Sequence, residues 1–133
     1  MVSGARWLFL VLVGLYLAAV LYQVFLAGIG LFGIEHDFET HRTLGYLIHL
    51  TPIPLILVAA VARVGSRLLL WTAALFVVQG IQPLLPMLRE DLPWAAALHP
   101  VLALVVFWLG ITIAQQAWRL VREPPPVVGS QEP

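Results

Sequence analysis

Residues 7–32 read WLFLVLVGLYLAAVLYQVFLAGIGLF, an uninterrupted run without a single charged side chain. At a rise of about 1.5 Å per residue, a helix of this length exceeds the roughly 30 Å hydrocarbon core of a bilayer. The apolar region of a signal peptide is much shorter, about 7–15 residues. The run is therefore predicted to be a transmembrane helix that the mature protein keeps.

Three more apolar stretches of spanning length follow, and short polar links separate all four. The later stretches are residues 41–62, 68–87 and 94–118. Such short links make successive helices antiparallel neighbours, and apolar runs of this length exclude the strands of a barrel. The sequence therefore predicts an all-α fold. We expect a four-transmembrane-helix, up-down-up-down bundle in one domain, residues 1–122, with a disordered proline-rich tail, residues 123–133.

The composition supports a membrane location and excludes several functional classes. Hydrophobic residues make up 61% of the chain and charged residues 11%, against roughly 25% charged in soluble domains. The lipid bilayer is thus the first predicted partner. A net charge of zero without any lysine gives no basis for a nucleic-acid partner. The lack of cysteine excludes disulfides, iron–sulfur clusters and thiolate metal sites.

The arginines predict how the bundle is oriented. In the predicted topology five of them lie at one side and two at the other. The first group is Arg6, Arg63, Arg67, Arg119 and Arg122, and the second is Arg42 and Arg89. The positive-inside rule places the first group, together with both termini, in the cytoplasm. The protein is therefore predicted to be a multi-pass protein of the cell membrane.

Histidines and glutamines gather in the half of the bundle predicted to face outward. His41, Gly45 and His49 follow one another at intervals of four residues, so they share one side of the second helix. His99, near the start of the fourth helix, lies between His41 and His49 in depth, about 5 Å from either. Polar groups inside a span must find a partner there, so this clustering is the main functional signal of the sequence.

Neutral imidazole is a good ligand for haem iron, and two histidines on facing helices can hold one haem inside a four-helix bundle. We therefore predict a b-type haem between helices 2 and 4, for electron transfer or haem handling. His99 would supply one iron ligand and His41 or His49 the other. Gly45 would give the macrocycle room, and Arg42 could pair with a propionate.

Other interpretations compete with haem binding. Histidine and glutamine often serve only to join membrane helices, and the protein would then be a non-enzymatic structural or accessory subunit of a larger membrane complex, or a homo-oligomer. A quinone or lipid could use the same outer pocket. The loop before the second helix could also hold a divalent ion, although its spacing matches no standard site. Its candidate ligands are Glu35, His36, Asp37, Glu39 and His41.

Two motifs carry a resemblance to known proteins. Residues 41–49, HRTLGYLIH, and residues 97–103, ALHPVLA, resemble an uncharacterised family of small bacterial four-helix membrane proteins. That group is in turn distantly similar to one half of haem A synthase, whose halves carry His-Arg at the start of the second helix and a histidine early in the fourth. The resemblance implies haem ligation by His41 and His99. Phe38 stands where the synthase has a glutamate, and only one half of the duplicated architecture is present, so the resemblance extends to haem binding and not to synthase catalysis.

Overall fold

A computed structural model describes residues 2–33 and 38–122, and these residues form helices and turns without any strand. Four helical segments are long and apolar enough to cross a membrane: Val2–Leu31, Glu39–Val61, Ser66–Met87 and Pro93–Arg122. The prediction of an all-α protein with four spanning helices is confirmed. The predicted tail, residues 123–133, lies outside the described residues, as do Glu35, His36 and Asp37 of the predicted metal loop.

Only the first span is one continuous helix. The seven helices are α1 (Val2–Leu31), α2 (Glu39–Leu50), α3 (Pro52–Val61), α4 (Ser66–Ile81), α5 (Leu84–Met87), α6 (Pro93–Ala96) and α7 (Leu98–Arg122). Proline causes the breaks in the second and third spans, because it has no N–H for the helix ladder and its ring clashes with the preceding turn. Pro52 begins α3 and Pro83 immediately precedes α5. At the first break the Thr51 hydroxyl donates to the Ile48 carbonyl at 2.6 Å.

The four spans pack as a ring in which the second and fourth lie diagonally opposite. The first span packs against the second and the fourth, and the third packs against the same two. Close packing of the second span is uneven, since α3 contacts both α1 and α4 whereas α2 contacts mainly α1. The core accordingly centres on Phe9, Val13, Ala59, Leu75 and Ile113. The end of the bundle where α2 begins, called the histidine end below, is therefore the less tightly closed end.

The outward surface is apolar, as contact with lipid requires. Large side chains such as Leu15, Phe25, Leu70 and Leu104 are 60–71% exposed, and only a hydrocarbon surrounding makes such a surface stable. The protein is thus a small multi-pass membrane protein. The opposite end of the bundle, called the terminal end, holds the start of α1, the α3–α4 turn and the end of α7.

Candidate functional site

His41 and His99 meet at the histidine end. His41 lies in the first turn of α2 and His99 is the second residue of α7, on diagonally opposite spans. Their ring centres are 6.2 Å apart and the ring planes make an angle of 82°. Both side chains are half-buried. Of the two candidates on the second span, His41 is therefore the one that the fold brings to His99.

The His41 ring has a defined tautomer. Its Nδ1 lies 3.0 Å from the backbone carbonyl oxygen of Gln23. A carbonyl can only accept, so Nδ1 carries the proton and Nε2 of the neutral ring holds a lone pair. Histidines that bind a metal through Nε2 use this arrangement, because the carbonyl fixes the ring and raises its basicity.

His99 has two partners of opposite character, both from Gln82. Its Nδ1 lies 3.0 Å from the backbone carbonyl oxygen of Gln82, which can only accept. The Gln82 side chain fits best with its oxygen accepting from the Ala103 N–H at 2.7 Å. Its nitrogen then donates to the His99 carbonyl at 3.1 Å and lies 2.9 Å from His99 Nδ1. The carbonyl favours a proton on Nδ1 and the amide favours one on Nε2. Gln82 thus controls whether His99 offers an Nε2 lone pair.

Gln23 fills the space beside Gly45. The Gln23 side-chain nitrogen donates to the backbone carbonyl of His41 at 2.5 Å. A Cβ built on Gly45 would lie 2.7 Å from this same nitrogen. The missing side chain of Gly45 therefore admits a glutamine from α1, in the space that the sequence analysis assigned to a macrocycle.

His49 lies two turns deeper than His41 and is half-buried. Its Nδ1 bonds to the Gly45 carbonyl in its own helix. Its Nε2 and the Gln23 Oε1 are the two buried side-chain atoms without a hydrogen-bond partner in the described part of the chain. A buried polar atom left unpaired costs about 1–3 kcal/mol. The Gln23 side chain also bonds to His41, whereas His49 lies deeper in the same span.

Two other predictions concerned Arg42 and a divalent-ion site in the loop before α2. Arg42 follows His41 and is exposed at the edge of the bundle. Within residues 2–33 and 38–122, no group of three or more histidine, cysteine, aspartate or glutamate side chains is arranged to hold a metal ion. The divalent-ion site predicted for the loop depends on residues outside that range.

Two aromatic side chains, Tyr16 and Phe38, make contacts that the sequence did not predict. The Tyr16 hydroxyl donates to Gln79 Oε1 at 2.9 Å, joining α1 to α4 in the buried interior. The Phe38 ring lies 6.3 Å from the His41 ring and fills the space next to Gly30. Tyr16 could have been found, because a buried tyrosine hydroxyl almost always has a partner. Phe38 could not, because its position depends on the turn before α2.

Comparison with known families gives one match. Residues 23–88, just under half of the chain, match a family of unknown function (DUF6220). This agrees with the predicted likeness to an uncharacterised family. The matched segment begins at Gln23, includes His41, His49 and Gln82, and ends before His99. Neither the curated proteins nor the solved structures give a match, and the likeness to haem A synthase stays a prediction.

Proposed function

We propose that this membrane protein binds a b-type haem at its histidine end, with His41 and His99 as the two iron ligands. The separation of the two rings carries the proposal. A bond of about 2 Å from an imidazole nitrogen to a metal puts the ring centre about 3 Å from that metal. The His41 and His99 ring centres are 6.2 Å apart, so the two imidazoles are close enough that both could serve as ligands of one haem iron.

The number of ligands favours haem over a bare metal ion. A bare zinc or similar ion needs three or four protein ligands. The described residues offer no such group, but they do offer two imidazoles on facing helices. Two are enough for haem, since the porphyrin itself supplies the other four nitrogens around the iron.

The surrounding residues can orient and hold the ligands. The Gln23 carbonyl fixes the His41 ring with its Nε2 lone pair available. α2 packs mainly against α1 and has little packing against the rest of the histidine end. Arg42, exposed and next to His41, would pair with a propionate. Bound haem would supply one-electron transfer, or would itself be cargo.

Haem binding requires two side chains to move. The amides of Gln23 and Gln82 lie beside the histidines, and both must turn aside to admit a macrocycle. Glutamine side chains are flexible, and the energy lost is that of a few interhelical hydrogen bonds, each about 1 kcal/mol. The same contacts support the second candidate function, an accessory subunit in which these residues only join α1 to α2 and α4 to α7.

A visible spectrum separates the two functions. The full chain is expressed with haem supplied, purified in mild detergent, and measured reduced minus oxidised. We expect the sharp band pair of a low-spin b-type haem, lost in His41→Ala and in His99→Ala and kept in His49→Ala. A flat spectrum from folded wild-type protein would rule out haem and leave the accessory subunit. Loss in His49→Ala with retention in His41→Ala would assign the second ligand to His49.

A further inference from the structure

A cationic cavity lies at the terminal end of the bundle, far from the histidines. It is open to the surface, has a volume of about 360 Å³ and lies between the α3–α4 turn and the last turns of α7, with both of its arginines exposed. Arg67 and Arg119 line it from opposite sides, and Ser66 and Gln116 add polar groups. Val64 and Leu68, both buried, form its floor. The walls therefore combine two positive charges with hydrogen-bonding side chains.

The positive charge of this cavity is not neutralised by the described part of the protein. The acidic residues there are Glu39, Glu90 and Asp91, and all three lie at the histidine end. Two other arginines of the terminal end are engaged elsewhere: Arg6 donates to the Ala62 carbonyl and Arg122 lies over the Trp118 ring at 4.6 Å. Arg63 does not line the cavity, and Arg67 and Arg119 are the two that do, so the charge of the cavity favours an anion.

The backbone at the cavity adds to this preference. Ser66 is the first residue of α4, and Gly65 precedes it with a φ of 88°, a conformation that side chains rarely adopt. The first N–H groups of an α-helix have no partners within the helix, and no side chain caps this helix start. Together with the helix dipole, these groups favour a phosphate next to the two arginines.

A second, open and mostly apolar groove of about 370 Å³ adjoins the first at Arg67 and runs along one face of α4. Arg67 borders both, and Leu70, Trp71 and Ala74 complete the second. Leu70 is 70% exposed on the surface that faces lipid, and the Trp71 ring packs edge-on against the Trp108 ring at 5.8 Å. An anion-binding cavity that opens into an apolar groove matches a molecule with a phosphate at one end and a hydrocarbon chain at the other.

We infer that the terminal end binds one anionic phospholipid, with its phosphate between Arg67 and Arg119 and an acyl chain along Leu70, Trp71 and Ala74. Basic pockets between transmembrane helices are established sites for anionic headgroups, and each arginine near an anionic surface contributes enough to change affinity about fivefold. Free phosphate would use the first cavity alone, so the apolar groove distinguishes the lipid from the soluble anion.

Native mass spectrometry of the full chain in detergent tests the headgroup site, with phosphatidylglycerol and phosphatidylcholine at equal concentration as probes. We expect the wild type to prefer phosphatidylglycerol, and R67Q/R119Q to bind it about 30-fold more weakly. R122Q at the same end and R89Q at the other end are the controls and should keep the preference. R67K/R119K keeps the charge and should keep most of the binding, which separates loss of charge from misfolding. Equal binding of the two lipids by the wild type would overturn the proposal.

Two further measurements test the acyl groove and the source of the phosphate. Phosphatidylglycerol with brominated acyl chains should quench tryptophan fluorescence, and W71F should remove much more of the quenching than W94F at the opposite end. Quenching that W71F leaves unchanged would overturn the groove. An excess of inorganic phosphate should not displace the lipid. Displacement by phosphate would identify a soluble anion as the ligand and overturn the lipid assignment.

Discussion

Gln23 and His41 bind each other twice across the interface of the first two spans. The His41 ring donates from Nδ1 to the Gln23 carbonyl at 3.0 Å, and the Gln23 amide donates to the His41 carbonyl at 2.5 Å. The first bond fixes the ring, and the second occupies the carbonyl of the same residue. Because α2 packs mainly on α1, this reciprocal pair is the main polar link that positions His41.

Gln23→Ala removes the amide donor and leaves the Gln23 backbone carbonyl in place. We expect a loss of about 1 kcal/mol in the free energy of unfolding, the usual value for an interhelical hydrogen bond. The unpartnered Oε1 disappears with the side chain, which reduces the loss. Thermal unfolding in detergent measures the change, and Gln115→Ala, at an exposed position of α7, is the control. A larger loss than for His41→Ala would show that the amide and not the ring holds α2.

The Gln23 variant should also bind haem more tightly than the wild type if the proposed function is correct. The amide that fills the space beside Gly45 is then gone, and the macrocycle no longer has to displace it. Titration of the apoprotein with haem, followed by absorbance, measures the affinity. Weaker binding by Gln23→Ala would indicate that the amide contacts the bound ligand.

Gly45→Ala should destabilise the histidine end. Its Cβ would lie 2.7 Å from the Gln23 nitrogen, so the glutamine must shift and its bond to His41 is strained. The clashing atom is the end of a flexible side chain, which can turn away, so we expect a loss of no more than about 1 kcal/mol, the value of the hydrogen bond that is given up. Adding Gln23→Ala should recover most of it, and the double-mutant cycle measures the coupling.

Gly14→Ala is the matched control for Gly45→Ala. Gly14 lies inside α1, and a Cβ there would meet nothing within 4 Å. Alanine has the better helix propensity, so this change should be neutral or stabilising by up to about 1 kcal/mol. Equal effects at the two positions would show that contact with Gln23 is not what Gly45 provides.

Tyr16→Phe removes only the hydroxyl group, and it should still destabilise the protein. The Tyr16 hydroxyl is the partner of Gln79 Oε1, and both residues are buried. Without it the amide oxygen is left unpaired, at a cost of about 1–3 kcal/mol. Tyr16→Phe with Gln79→Met should recover stability, because no polar atom then remains unpaired. Tyr22→Phe, at a position 51% exposed, should change the unfolding temperature little.

The sequence predicted the fold well because the signal for a spanning helix is strong. Runs such as residues 7–32 have one physical explanation, and their lengths and short links determine the topology. The break at Thr51 was only partly foreseeable. Pro52 and Pro54 follow it in the sequence, but whether a proline starts a new helix or only bends the old one depends on how its neighbours pack.

The site was less predictable than the fold. Depth along the helices placed His99 between His41 and His49. Which of these two histidines lies nearer to His99 depends on how α2 is rotated about its own axis, and sequence spacing does not give that rotation. The role of Gly45 shows the same limit, since a small residue in a span indicates close approach without saying of what. The sequence did not predict the terminal cavity, because Arg67 and Arg119 were interpreted only as arginines that orient the bundle in the membrane.

Gln82→Met tests the tautomer of His99. The Gln82 amide nitrogen lies 2.9 Å from His99 Nδ1 and favours a proton on Nε2, while the Gln82 backbone carbonyl at 3.0 Å favours the form that can bind iron. Methionine removes the amide and keeps the carbonyl. Haem affinity should therefore rise about threefold to tenfold, the equivalent of one hydrogen bond of about 1 kcal/mol. Gln79→Met removes an amide of the same size from the same span, where it bonds to Tyr16, and should leave haem affinity unchanged. A decrease in Gln82→Met alone would mean that the amide supports the bound state instead of competing with it.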